Sequence, residues 1–264
     1  MRKSVFSAMM VLAVSAAFGA ITGTITTEGG ESLKGVIRWS SRDKAYAVEK
    51  GNTEIQVKPS DVAELEIDKP AGFDAAVAKI QKGQASAAIP DLQKIVKEYQ
   101  RLQWDKIAGR YLAEAYVASG KPDEGLKACE TVIRDDASAA YKGALAPAYW
   151  SALLALGRQA KLESALEKAA KSGDRFSTGA ALILRGDMAL KAGKESNDAA
   201  KKALTDGYLR VVLTYNEPEV AEQLLPEALY KAAHCFEKLG QSGRADAMRT
   251  QLKRDFASSP WASK

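Results

Sequence analysis

From Phe73 onward the apolar residues recur three and four positions apart, the spacing of one face of a helix, in runs that glycines interrupt. Ile89, Leu92, Ile95, Val96 and Tyr99 make one stripe. Leu112, Tyr116 and Val117 make another, followed by Leu126, Cys129, Val132 and Ile133, and later by Tyr149, Trp150, Leu153, Leu154 and Leu156, then Leu162, Ala165 and Leu166. The punctuating glycines Gly83, Gly120, Gly157, Gly193 and Gly240 are 37, 37, 36 and 47 residues apart. Glycine accepts the left-handed conformation that closes a helix C-terminus, and Pro122 suits the first turn of a following helix. The pattern predicts about five helical pairs, each turning at one of these glycines. Pro90 is expected in the first turn of a helix that starts at Ser86, Pro147 at the start or a kink of its helix, and Pro226 at a helix start. Trp261, after Ser258-Ser259-Pro260, is expected to fold back as a cap. Helical pairs at a fixed period of this length predict an α-solenoid, a binding scaffold.

Residues 21–67 have a different period. Ile21–Thr27, Leu33–Ser40, Lys44–Glu49, Thr53–Lys58 and Val62–Ile67 are short runs rich in β-branched and aromatic residues. Gly29-Gly30, Ser41-Arg42-Asp43 and Gly51-Asn52 separate them as turns. Five strands in so few residues predict a small all-β module, an SH3-like barrel or a meander. Trp39 and Tyr46 read first as core and second as the wall of a ligand groove. The break Asp68-Lys69-Pro70-Ala71-Gly72 marks the domain boundary.

The first 19 residues follow neither pattern. Arg2 and Lys3 precede an apolar run from Val5 to Val14 and the small residues around Gly19, the pattern of a secretory signal peptide cleaved after Gly19. An uncleaved anchor is the alternative. The expected organisation is therefore a signal peptide over 1–19, a β domain over 20–69 and a helical repeat domain over 70–264. The expected location is periplasmic or otherwise extracytoplasmic, with no membrane span after cleavage. Loss of Arg2 and Lys3 lowers the formal charge from +5 to +3. Charges of both signs are interleaved, without the clustered basic face that nucleic acid requires. Cys129 and Cys235 lie 106 residues apart in different repeats, where each repeat touches only its neighbours, so two buried thiols are expected instead of a disulfide.

The repeat units resemble the tetratricopeptide repeat (TPR) family, with its period of about 34 residues and small residues where the two helices cross. Ala113, Tyr116, Gly120 and Gly125 occupy the family's small–aromatic–glycine–small positions. Ala233, Phe236, Gly240 and Ala245 repeat them, while Gly186 with Gly193 and Gly83 with Ala88 echo them. The resemblance spans roughly residues 73–258; units three and four run long, and the family's closing proline is mostly absent. GYLRVVLTY and the tail from Pro226 resemble the periplasmic repeat proteins of bacterial envelopes, such as the cell-division coordinator of the Tol–Pal system. They are also similar to the repeat lipoprotein of the outer-membrane assembly machine. The chain departs from the second in having no anchor cysteine near the cleavage point, and from both in its β module. This resemblance implies an envelope scaffold.

Catalytic patterns are scarce. His234 is the one histidine, which excludes multi-histidine metal triads and HExxH sites. Adjacent helical positions point about 100° apart, so His234 and Cys235 form no thiol–imidazole pair. Neither a phosphate loop nor a dinucleotide fingerprint is present. The expectation is a protein without catalytic residues, metal or cofactor, binding other proteins or peptides. Mapping the repeat puts Arg110, Glu114, Ser151, Asp187, Lys191, Tyr230, His234 and Glu237 on the concave face lined by the first helices, a mixed-sign groove suited to an extended peptide or a helix. A cell-wall or carbohydrate module acting through the β domain is the alternative, and a carboxylate hydrolase a third.

Overall fold

The computed structural model describes residues 20–264; the signal peptide expected over residues 1–19 lies outside the described residues. The chain divides after Asp68 into two compact units.

In the first unit five strands, β1 (Thr22–Thr27), β2 (Ser32–Ser40), β3 (Ala45–Lys50), β4 (Thr53–Val57) and β5 (Val62–Ile67), form one antiparallel sheet. The order is β4-β3-β2-β1-β5, so the sheet is open and the barrel alternative is not what forms. A short turn of 3-10 helix at Pro59–Asp61 hands β5 to β1, where Glu28 N–H bonds the Asp61 carbonyl at 2.9 Å. Gly23 and Gly35 face each other across β1 and β2. A Cβ on either would strike a carbonyl oxygen, of Glu66 and Glu49 respectively, so both are glycine because strands approach closely there. Ile25, Ile37 and Val48 are fully buried.

The second unit begins with α1 (Phe73–Gln81) and α2 (Ala85–Glu98), followed by α3 (Trp104–Ala118) and α4 (Pro122–Asp135), then α5 (Ala146–Ala155) and α6 (Gln159–Lys171). The fourth pair sets α7 (Arg175–Ala192) against a broken partner: α8 (Asn197–Ala203), a π-helical turn at Leu204–Tyr208 and α9 (Leu209–Thr214). The last pair is α10 (Pro218–Lys238) and α11 (Ser242–Asp255). Each first helix packs on its own second helix and on the first helix of the next pair, α3 on α5, α5 on α7, α7 on α10. Trp150 on α5 is fully buried, and its Nε1–H reaches the Ala140 carbonyl at 2.8 Å. Phe73 packs edge-on against Trp104 and Tyr111, tying α1 to α3. Five stacked pairs make this unit, among the described residues, a TPR-like α-solenoid.

Four of the five ladder glycines are left-handed, with φ between 66° and 75°. At each, the next residue's N–H bonds back five residues, as Lys121 N–H does to the Tyr116 carbonyl at 2.9 Å. Gly193 is the exception and corrects the sequence reading. Its φ is −88°, and the left-handed cap falls on Lys194 (φ 48°), while Glu195 N–H makes the closing bond to the Leu190 carbonyl at 2.8 Å. Gly193 is small because a Cβ there would sit 2.4 Å from that of Ala199. Two prolines also depart from expectation. Pro90 lies in the second turn of α2, and Pro226 lies inside α10, which Pro218 starts. Each removes a helical bond. Packing of Ala221, Leu224, Leu225, Ala228 and Leu229 into the core holds α10 continuous across Pro226. Pro147 sits in the first turn of α5 and starts it.

Candidate functional site

The first helices carry a chain of charged side chains that crosses three repeats. On α7, Asp187 accepts two bonds from Lys231 Nζ of α10, at 2.8 and 2.7 Å, and one from the Tyr208 hydroxyl at 2.7 Å. Lys231 also pairs with Glu227, one turn earlier, at 2.6 Å. On α3, Arg110 donates to Glu114 at 2.8 Å, again one turn apart. Burial works against the Lys231 ammonium, but the carboxylates of Glu227 and Asp187 outweigh it and raise its pKa. The Arg110 guanidinium is held charged against burial in the same way, first by Glu114 and also by the field of Glu227, so α3 and α10 lie within electrostatic reach. Burial and the Asp187 charge push the Tyr208 phenol well above its usual range.

Arg110, Glu114 and Asp187 therefore belong to this strip. The other five residues named from the sequence do not join it. Ser151 is exposed on α5. Lys191 Nζ donates to the Leu154 carbonyl at 2.6 Å, which spends it on tying α7 to the end of α5. Tyr230 packs against Trp261, ring centroids 5.2 Å apart, so the tail covers part of it. Glu237 is paired to Arg249 of α11 at 2.6 Å, and the exposed His234 stands 3.9 Å from the same carboxylate. Glu227 and Lys231 were missed, although their four-residue spacing was a readable signal. Tyr208 carried none, because the π turn decides where its ring goes.

Two cavities open elsewhere in this unit, each between successive second helices and floored by the first helix between them. One, of about 420 Å³, lies between α2 and α4 over α3, with Val96, Leu112 and Val132 as apolar walls and Tyr116 bonded to Gln93 at 2.8 Å. Asp105 closes one end. Its carboxylate is buried, which raises its pKa, and it accepts from the N–H groups of Arg101 and Lys106 at 2.8 and 2.9 Å. The other, of about 180 Å³, lies between α6 and α9 over α7 and is lined by Thr178, Leu182, Arg185, Arg210, Thr214 and Tyr215.

Cys129 and Cys235 are both free and buried. Burial pushes their thiols up to about 12 and about 11, leaving negligible thiolate at neutral pH. Among the described residues no group of three or more His, Cys, Asp or Glu side chains is placed to hold a metal, and no helix is long and apolar enough to cross a membrane.

No known family profile matches the chain, and no curated protein matches it. Among solved structures, two crystal structures of a putative kinesin light chain with nearly identical TPR-like repeats from Podosopora anserina superpose on it. One has 18% identity and a TM-score of 0.39, covering 70% of this chain and 93% of that one. The other, a single-substitution variant of the same protein, has 17% identity and a TM-score of 0.40, covering 70% and 94%. Superposition at this level says nothing of function, and the repeat architecture rests on the helix stacking described above.

Proposed function

We propose that this protein is an exported, non-catalytic scaffold that holds partner proteins or peptides on the first-helix face of its solenoid, in the organisation or assembly of a bacterial envelope. The observation that carries the reading is the strip formed by Arg110 and Glu114 on α3, Asp187 on α7 and Glu227 and Lys231 on α10: three repeats contribute to one partly exposed, mixed-sign surface. Such a surface suits a polar extended peptide or a helix that spans several repeats. Export rests on the signal pattern of residues 1–19. The test is cross-linking in intact bacterial envelopes, comparing wild type with Arg110→Gln plus Glu114→Gln, which removes the α3 part of the strip. The same partners recovered in equal amount would overturn the face assignment, and retention of the chain in the cytoplasm would overturn export.

A second reading is favoured by Trp39 and Tyr46, which stack edge-on at 5.2 Å on neighbouring strands and stay partly exposed. Aromatic pairs of this kind suit sugar rings, and the β domain then acts as a cell-wall module. Trp39→Ala would reduce co-sedimentation of the full chain with purified cell wall; unchanged sedimentation, or none by wild type, discards it.

A further inference from the structure

The smaller cavity, between α6 and α9 over α7, is set apart from the charged strip by the state of its arginines. Seven arginines of the two units are spent on carboxylates: Arg38, Arg42, Arg101, Arg110, Arg175, Arg249 and Arg254 each pair with one. Among the described residues Arg134, Arg158, Arg185, Arg210 and Arg244 meet no carboxylate, and two of these five, Arg185 and Arg210, line this one cavity. Helix spacing puts them there. Thr178, Leu182 and Arg185 follow one another at four and three residues along α7, and Arg210 and Thr214 are four apart on α9, so each helix turns one guanidinium and one threonine toward the same space. The wall between them is Tyr215, a buried ring held by the Arg175 guanidinium at 4.5 Å from its centroid. Arg175 itself is committed to Glu217 at 2.7 Å and to the Thr214 carbonyl at 3.2 Å. The site therefore has a fixed back and two uncommitted cationic arms.

Size and charge together name the ligand class. At about 180 Å³ the cavity is below the roughly 300 Å³ at which sites for drug-sized ligands begin, so it takes a single small group and not a nucleotide. Two guanidinium groups carry two positive charges and present forked donors that match tetrahedral oxyanions. A phosphate monoester carries about −1.5 to −2 at neutral pH, which balances both arms, whereas one carboxylate would leave an arginine unmatched. We infer that Arg185 and Arg210, with the Thr214 hydroxyl at the rim, form a binding site for a phosphoryl group, inorganic phosphate or a phosphate monoester. The site lies between second helices over α7, separate from the strip that carries the proposed scaffold role, and stands or falls independently of it.

The test uses the full chain and thermal unfolding at constant ionic strength. Phosphate at about 10 mM, some tenfold above a millimolar dissociation constant, is expected to raise the midpoint of wild type above that in chloride. The rise should vanish in Arg185→Gln plus Arg210→Gln. It should persist in Arg134→Gln plus Arg158→Gln, which removes the same charge from two arginines outside the cavity, one on α4 and one just before α6. Phenyl phosphate reproducing the rise assigns a monoester, and vesicles containing phosphatidic acid that capture wild type but not the double variant assign a lipid headgroup, both through the same two arginines. Overturning results are no rise in wild type, an equal rise in both double variants, or an equal rise with acetate.

Discussion

At Lys194 the backbone holds φ at 48°, a conformation that costs an ordinary L-residue roughly 1–2 kcal/mol and glycine almost nothing. The equivalent residue in the other four turns is a glycine with nothing within reach of an added Cβ. Lys194→Gly is therefore expected to stabilise the protein by about 1 kcal/mol, while Gly120→Ala is expected to cost about 1–2 kcal/mol. Urea unfolding midpoints check both, and a destabilised Lys194→Gly would mean that the Lys194 backbone is unstrained. Deep in the core Trp150 combines complete burial with a hydrogen bond to the Ala140 carbonyl. Trp150→Phe leaves that carbonyl without its donor as well as a cavity, and should cost about 2–4 kcal/mol by the same measurement.

Among the elements, the fourth pair shows best where the sequence was readable and where it was not. Strands β1 to β5 were legible because alternation and turn residues agree over 21–67, and four helical turns because a glycine marks each. At the fourth turn the glycine was read wrongly as the left-handed cap, since Lys194 adopts that conformation against its own preference. Pro226 was misread because burial of its neighbours on α10 outweighs one lost helical bond, a tertiary effect that no local pattern contains. The π turn was equally hidden. It brings Gly207 onto Gly186, so closely that a Cβ on Gly207 would lie 2.8 Å from the Leu182 carbonyl, and it swings Tyr208 into reach of Asp187. Gly207→Ala should cost about 1–3 kcal/mol through that clash and weaken the strip as well.

The same turn gives the strip a pH signature. Tyr208 and Lys231 both have folded pKa values above their unfolded ones. Their stabilisation is thus present in full below the unfolded values, about 10 and 10.4, and is lost as the pH rises through the folded values. Tyr208→Phe is expected to cost about 1 kcal/mol at neutral pH, from the lost bond to Asp187. That deficit should shrink above about pH 10, because the phenylalanine variant has no phenol to ionise. Urea unfolding of the two proteins at neutral and alkaline pH measures the crossover; a constant deficit would mean that Tyr208 ionises as easily folded as unfolded.

For the whole molecule, the residues named from the sequence all lie on first helices, but only some of them share one surface. Arg110, Glu114 and Asp187 lie on the strip, while Tyr230, His234 and Glu237 were assigned by repeat position, and Trp261 of the tail and Arg249 of α11 determine what Tyr230 and Glu237 meet. Stacking alone sets which residues from distant repeats converge, and a linear pattern does not hold that information. Lys231→Met, which leaves Asp187 and Glu227 facing each other unneutralised in a partly buried place, is expected to lower stability by about 2 kcal/mol. It should also loosen α7 from α10, seen as faster amide exchange in both helices. Exchange unchanged in α7 would show that the ion pair does not couple the two repeats.

The two free thiols supply a clock for such motions. Cys129 sits in the second pair and Cys235 in the fifth, and each is shielded from solvent and held protonated by its surroundings. Neither meets an alkylating reagent until its own repeat opens. The rate at which each is modified, followed peptide by peptide, therefore reports separately how often the two halves of the solenoid come apart, with no label added to the natural chain.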